Sequence, residues 1–290
     1  MEHDVSTADG RTLRVLEEGD PSGHPILIHH GMPGSRLQFK PAVIRGRQQG
    51  LRLISYDRPG YGGSSRHEGR TVADCAADVR TIAAALEIDR LAVWGISGGG
   101  PHALACAALL PDLVPAVASL AAPAPWDAEG LDYLADTGEL NVEDTKLFFE
   151  DRVAAERKCA ADRDEMLEVD LPGLIEMLNT LLAPPDAEVL TGELGSYLLE
   201  QENIGLEPGY TGWWDDGVAL LTPWGFELET IETPVLLLQG RHDKFVPFAH
   251  GEWLAGQIPT VEPRLSEDDG HLTLMVDRLD DVQAWLVDRL

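Results

Sequence analysis

Basic residues are scarce in this chain: Lys and Arg number 22 against 50 Asp and Glu, a formal charge of −28. Such a field repels phosphate backbones and anionic lipid headgroups, which argues against nucleic-acid and membrane-surface partners. The acidity itself reads as a solvated surface and says little about chemistry. Cysteine is also sparse. Cys75, Cys106 and Cys159 are odd in number, widely spaced and form no C-x-x-C, so neither a disulfide framework nor a zinc site is implied, and each is expected to act as a small buried hydrophobe. No apolar run approaches the roughly 18 residues that span a bilayer. The opening Met1-Glu2-His3-Asp4 is acidic with no apolar segment behind it, which makes the cytoplasm the expected location. The 9 histidines are scattered, and none pairs with carboxylates at metal-ligand spacing, so no metal and no cofactor are expected.

What is present is an ordinary globular balance, 44% apolar and 25% charged over 290 residues, enough for one α/β core carrying an insertion. Residues 1–20 alternate around Asp9-Gly10 and read as an antiparallel hairpin. Short apolar runs follow at 25–30, 51–56, 91–94 and 114–120, with helical periodicity between them at 71–86 and 101–110. Strand and helix in alternation predict a mostly parallel sheet covered on both faces. After residue 123 the alternation stops. Residues 124–230 read as a helical cap, its helices broken at Pro184-Pro185-Asp186, and the core of 1–123 resumes over 231–290. That last part holds a strand at 234–239, a helix near 247–257, a strand at 260–265 and a single final helix over 272–290.

Gly95-Ile96-Ser97-Gly98-Gly99 matches G-x-S-x-G, directly after a strand and before an apolar helix, the setting of a nucleophile elbow. Gly98-Gly99-Gly100-Pro101-His102-Ala103 also fits the dinucleotide pattern G-x-G-x-x-A. That reading requires an acid at the end of the next strand to hold a ribose, whereas Leu120-Ala121-Ala122-Pro123 is wholly apolar. A serine hydroxyl needs a base to take its proton and a third group to orient that base. Asp243, after the strand 234–239, and His271, before the last helix, follow in the required order, with Asp127 as an alternative acid. His30 is expected to brace a loop, His29 and His102 to pack, and His242 to point away from Asp243.

Four motifs taken together resemble the α/β-hydrolase superfamily over the whole chain except the cap: His30-Gly31-Met32-Pro33-Gly34, Asp57-Arg58-Pro59-Gly60-Tyr61-Gly62-Gly63-Ser64, the elbow at Ser97, and the pair Gly240-Arg241-His242-Asp243 with Gly270-His271. The resemblance implies an α/β-hydrolase fold with Ser97 as nucleophile, His271 as general base and acid, and Asp243 as its orienting carboxylate. It further implies an oxyanion hole from the backbone N–H groups of Met32 and Gly98, each such donor worth about 3 to 4 kcal/mol.

The cap sets the substrate in this reading. Trp213 and Trp214, adjacent and unable to share one core face easily, are candidates for the substrate-binding wall, with Trp126 at the hinge as a third. Glu200-Gln201-Glu202 reads as a solvated helix face, with ammonium anchoring as the other possibility. Epoxide hydrolases and haloalkane dehalogenases carry a carboxylate where Ser97 stands, so acyl transfer to water is the expected chemistry and a small-molecule acyl compound the expected partner. Pro33-Gly34 also resembles the loop of prolyl aminopeptidases, but Met32 stands where their motif has a second glycine and Gly98 where it has an aromatic residue. A small-molecule-binding protein that keeps the triad without turnover is the alternative outside enzymes.

Overall fold

A computed structural model describes residues 1–190 and 192–290. Strands β1 (Glu2–Ser6) and β2 (Thr12–Gly19) form the hairpin; α1 (Lys40–Gln48) joins β3 (His24–His29) to β4 (Leu51–Tyr56); α2 (Cys75–Ala85) precedes β5 (Ala92–Ile96); and α3 (Gly99–Leu109) leads to β6 (Val117–Leu120). Among the described residues six helices then intervene: α4 (Glu139–Glu150), α5 (Arg152–Met166), α6 (Leu171–Met177), α7 (Pro184–Val189), α8 (Gly192–Leu206) and α9 (Thr211–Leu220). The chain returns to the sheet with β7 (Val235–Gly240), α10 (Phe248–Gln257), β8 (Val261–Ser266), α11 (Leu272–Asp277) and α12 (Leu279–Val287).

The strands form one 8-stranded sheet in the order β1-β2-β4-β3-β5-β6-β7-β8. Among the described residues only the β1–β2 and β2–β4 pairs are antiparallel. The inner strands are apolar throughout, as a sheet covered on both sides demands; all six residues of β7 are buried. Alternate residues feed opposite faces. Leu27, Val93, Val117, Val235 and Leu237 join the layer formed with Val79, Ile82 and Leu104 of α2 and α3, while Ile26, Trp94, Ala118, Leu236 and Leu238 join Leu279, Val282 and Leu286 of α12. This is the α/β-hydrolase fold.

Two boundaries differ from the sequence reading. The final helix breaks at Arg278, whose φ of −110° leaves helical values while its Nε donates to the Asp269 carboxylate at 2.8 Å; Asp280 and Asp281 then occupy the first turn of α12, where the helix dipole favours negative charge. The second boundary is Pro184-Pro185, which opens α7 at positions where a missing N–H is harmless rather than interrupting a longer helix. Among the described residues no helix is long and apolar enough to cross a membrane.

Candidate active site

Ser97 lies where β5 turns into α3, and its φ of +54° puts a non-glycine residue in the left-handed region. The surroundings enforce that strain. Ser97 N donates to Leu120 O at 2.9 Å, and Ser97 O accepts from Gly100 N at 2.8 Å. A Cβ on Gly95 would stand 2.1 Å from Gly99 O, and one on Gly99 2.3 Å from His29 O, so both positions exclude any side chain. The glycines of the motif are thus consequences of the tight strand-to-helix crossing.

The loop after β3 lies over this turn. A Cβ on Gly98 would meet Met32 Cβ at 2.8 Å and Met32 N at 3.6 Å, so the backbones of Met32 and Gly98 are neighbours, and both line the same cavity as Ser97. His30 braces the loop. Its Nδ1 is 2.7 Å from Gly31 O and its Nε2 accepts from Arg58 N at 3.2 Å, a pattern that suits a neutral imidazole protonated at Nδ1. Burial and the Arg58 charge depress its pKa, in keeping with that state. His29 and His102 are buried and stack at 5.8 Å; His102 Nδ1 lies 2.8 Å from Gly98 O, tying the turn to α3.

Asp243 follows β7, fully engaged. One carboxylate oxygen accepts from Phe245 N at 2.9 Å and Val246 N at 2.8 Å; the other accepts from Gln239 Nε2 at 3.0 Å and lies 2.7 Å from His271 Nδ1. The carboxylate therefore directs His271, whose ring is also stacked against Phe245 at 4.6 Å. Burial disfavours protonating His271, but the Asp243 carboxylate, aided by Asp186, holds its pKa above the ordinary imidazole value. His271 and Ser97 line one cavity of about 580 Å³. The neighbouring His242 is exposed, and so is the alternative acid Asp127, while His271 Nδ1 is bound by Asp243.

A scan of the chain against protein-family models matches residues 24–174, more than half its length, to the alpha/beta hydrolase fold. The chain belongs to the alpha/beta hydrolase fold family. It is 28% identical over 278 residues to the AB hydrolase superfamily protein YisY of Bacillus subtilis, covering 93% of this chain and 92% of that one. Among solved structures, a bromoperoxidase from Bacillus anthracis superposes with a TM-score of 0.73 at 22% identity, over 99% of each chain. An esterase from Rhodococcus superposes with a TM-score of 0.72 at 19% identity, over 100% of this chain and 99% of that one. Both likenesses speak for the family fold.

Several residues that shape this alpha/beta hydrolase site escaped the sequence reading. Arg58 is fully buried; its Nη2 donates to Gly31 O at 2.8 Å and another guanidinium nitrogen to His30 O at 2.5 Å, while Nε and Nη2 bind Asp216 of α9 at 3.0 and 2.6 Å. Arg70 completes the cluster at 2.7 Å from Asp216. Burial alone would raise the Asp216 carboxyl, yet the two guanidinium groups hold it well below the usual carboxylate range. Asp186 of α7 accepts from the backbone N–H of His271 at 2.8 Å, Leu272 at 2.7 Å and Thr273 at 3.2 Å, fixing the inserted helices to the loop that presents His271. The signals were there, since Arg58 belongs to the quoted turn motif and Asp216 follows the tryptophans, but neither pairing is local.

Three sequence expectations need correction. Trp126 is not part of the cavity wall: it stacks on Phe149 at 4.2 Å and meets Tyr133, which is in the wall, edge to face at 4.8 Å, whereas Trp213 and Trp214 do line the cavity. Cys159 is half-buried and faces the cavity rather than lying in the core, and burial pushes its thiol up to about 12. Glu200-Gln201-Glu202 is not a solvated face; Glu200 is exposed, but Gln201 and Glu202 are buried against the cavity. His29, Cys75 and Cys106 place three ligand atoms within 4.8 Å of one another in the core. Cys75 Sγ donates to His102 O at 3.3 Å, and burial raises its thiol well above its ordinary value, which disfavours the thiolate a metal would need.

Proposed function

We propose that this alpha/beta hydrolase cleaves a small carboxylic ester or related acyl compound through an acyl-Ser97 intermediate. The observation that carries the proposal is the convergence of a strained Ser97 and an Asp243-bound His271 on one cavity. With Nδ1 engaged by Asp243, Nε2 is the nitrogen left to take the Ser97 proton. Ser97 Oγ attacks the acyl carbon, and the oxyanion that forms is met by the N–H groups of Met32 and Gly98 at the start of α3, where the helix dipole favours negative charge. The carbon–alkoxy bond breaks as His271 returns its proton to the leaving oxygen. Water, deprotonated by His271, then releases the acid and restores Ser97.

Helices α4–α9 act in this reading as a cap over the cavity, and Trp213 and Trp214 supply apolar wall to the substrate. Mass spectrometry after treatment with an organophosphorus probe tests the proposal. The expected result is one adduct on Ser97, with Ser97→Ala losing ester turnover; an unmodified Ser97, or full turnover by Ser97→Ala, defeats it. The same measurement separates turnover from a binding-only role, since a protein that merely binds acyl compounds does not require an activated hydroxyl.

A further inference from the structure

Glu202 is a buried acid of the cavity wall that acyl transfer does not use. It lies on α8 with Leu198 one turn before and Leu206 one turn after, both buried, and is itself only 9% exposed. Its Oε2 has no hydrogen-bond partner among the described residues. A buried, unpaired carboxyl is costly, by roughly 1–3 kcal/mol even when neutral, and this one faces the cavity that Trp213 and Trp214 also line. The cavity's other charges do not offset it. Among the described residues Lys158 is the one Lys or Arg side chain on the wall, and it is already held between Asp144 at 2.8 Å and Asp162 at 2.6 Å.

We propose that Glu202 is a subsite for a basic amine, so that the acyl substrates of Ser97 carry an ammonium group held by this carboxylate in the cavity that Trp213 and Trp214 also line. The inference rests on the acyl-Ser97 reading for the word substrate, but the subsite stands on its own geometry. A carboxylate offers the ammonium charge-assisted hydrogen bonds, and indole rings add cation–π attraction in a desolvated setting. Burial raises the Glu202 carboxyl to about 8. An arriving cation restores the ionised form, so binding an amine releases a proton from Glu202.

Calorimetric titration of the protein with 3-phenylpropylamine and with its neutral counterpart 3-phenylpropan-1-ol tests the subsite. Both are run at pH 7 in about 1 M salt, where the Debye length of about 3 Å removes the pull of the distant acidic surface. The amine is expected to bind roughly tenfold or more tightly than the alcohol. Glu202→Gln brings the ratio near one while still binding the alcohol, which certifies its fold; Glu202→Met is the substitute if it does not. Asp144→Asn keeps the ratio. The proposal is overturned by no measurable amine binding, by a wild-type ratio near one, or by a ratio that survives in Glu202→Gln. Neither probe is an acyl compound, so a failure here leaves the Ser97 reading standing, and an absent Ser97 adduct leaves the subsite standing.

Discussion

Substituting Glu202 by Gln should stabilise the protein increasingly as pH rises, and the size of the effect follows from the raised pKa. Burial raises the carboxyl to about 8 in the fold, against an ordinary value of 4.5. A group whose folded pKa is raised contributes stability that is complete below the unfolded value and is lost as pH climbs through the folded one. The window is therefore pH 4.5 to 8. With 1.36 kcal/mol per pKa unit, the loss amounts to about 1 kcal/mol at pH 5 and about 5 kcal/mol at pH 9. Gln has nearly the same shape and no charge to lose, and its unpaired amide adds a cost that does not depend on pH. The difference in unfolding free energy between variant and wild type should consequently swing by about 4 kcal/mol toward the variant between pH 5 and pH 9. Urea unfolding at a series of pH values reads this directly, because every other titrating group is common to both proteins and cancels in the difference. A difference that stays constant within about 1 kcal/mol across the window would falsify the reasoning.

The same logic extends to three other carboxylates. In Asp186→Asn the His271 loop loses a negative charge that helps hold the imidazole's pKa up, so the acid limb of kcat/KM, expected above the ordinary 6.5 in the wild type, should move to lower pH; an unmoved limb would mean that Asp186 does no more than cap a helix. Asp216→Asn leaves Arg58 and Arg70 buried without their counter-charge and should cost about 3–5 kcal/mol in urea unfolding, a cost refuted by a midpoint close to wild type. Asp243→Asn keeps the shape beside His271 but upsets its tautomer, and kcat on a short-chain ester should fall by about 10⁴-fold; a loss of less than tenfold would shift the orienting role elsewhere.

The residues that could be read from sequence are those whose chemistry depends on local backbone geometry. Ser97 needs a strand, a tight crossing and a helix within a few residues, and Gly95 and Gly99 are marks of that crossing because their missing side chains are demanded by atoms of the same turn and of the adjoining strand end at His29. Asp243 and His271 each follow a strand directly, so an apolar run ending in a polar turn was enough to place them on the same edge of the sheet. Residues of the inserted helices obey no such rule. Asp186 reaches His271 across 85 positions and Asp216 reaches Arg58 across 158, and periodicity within a helix says which side is apolar without saying what lies opposite.

Glu202 shows how that limit misleads. Successive residues on a helix turn by about 100°, so three polar residues in a row span about 200° and cannot all face water on a helix packed on one side. Glu200 takes the solvent; Gln201 packs toward Gly34 in the loop after β3, where a Cβ on that glycine would come 3.3 Å from its Oε1; and Glu202 turns to the cavity. A run read as solvated from its charges had to be partly buried by geometry, and the acid it buries lines the same cavity as the two tryptophans that the sequence had already singled out. The inserted helices are thus tied to the site at two points, Asp186 to the loop presenting His271 and Asp216, through Arg58, to the loop at Gly31, and the proposed Glu202 subsite would add a charge requirement on whatever reaches Ser97.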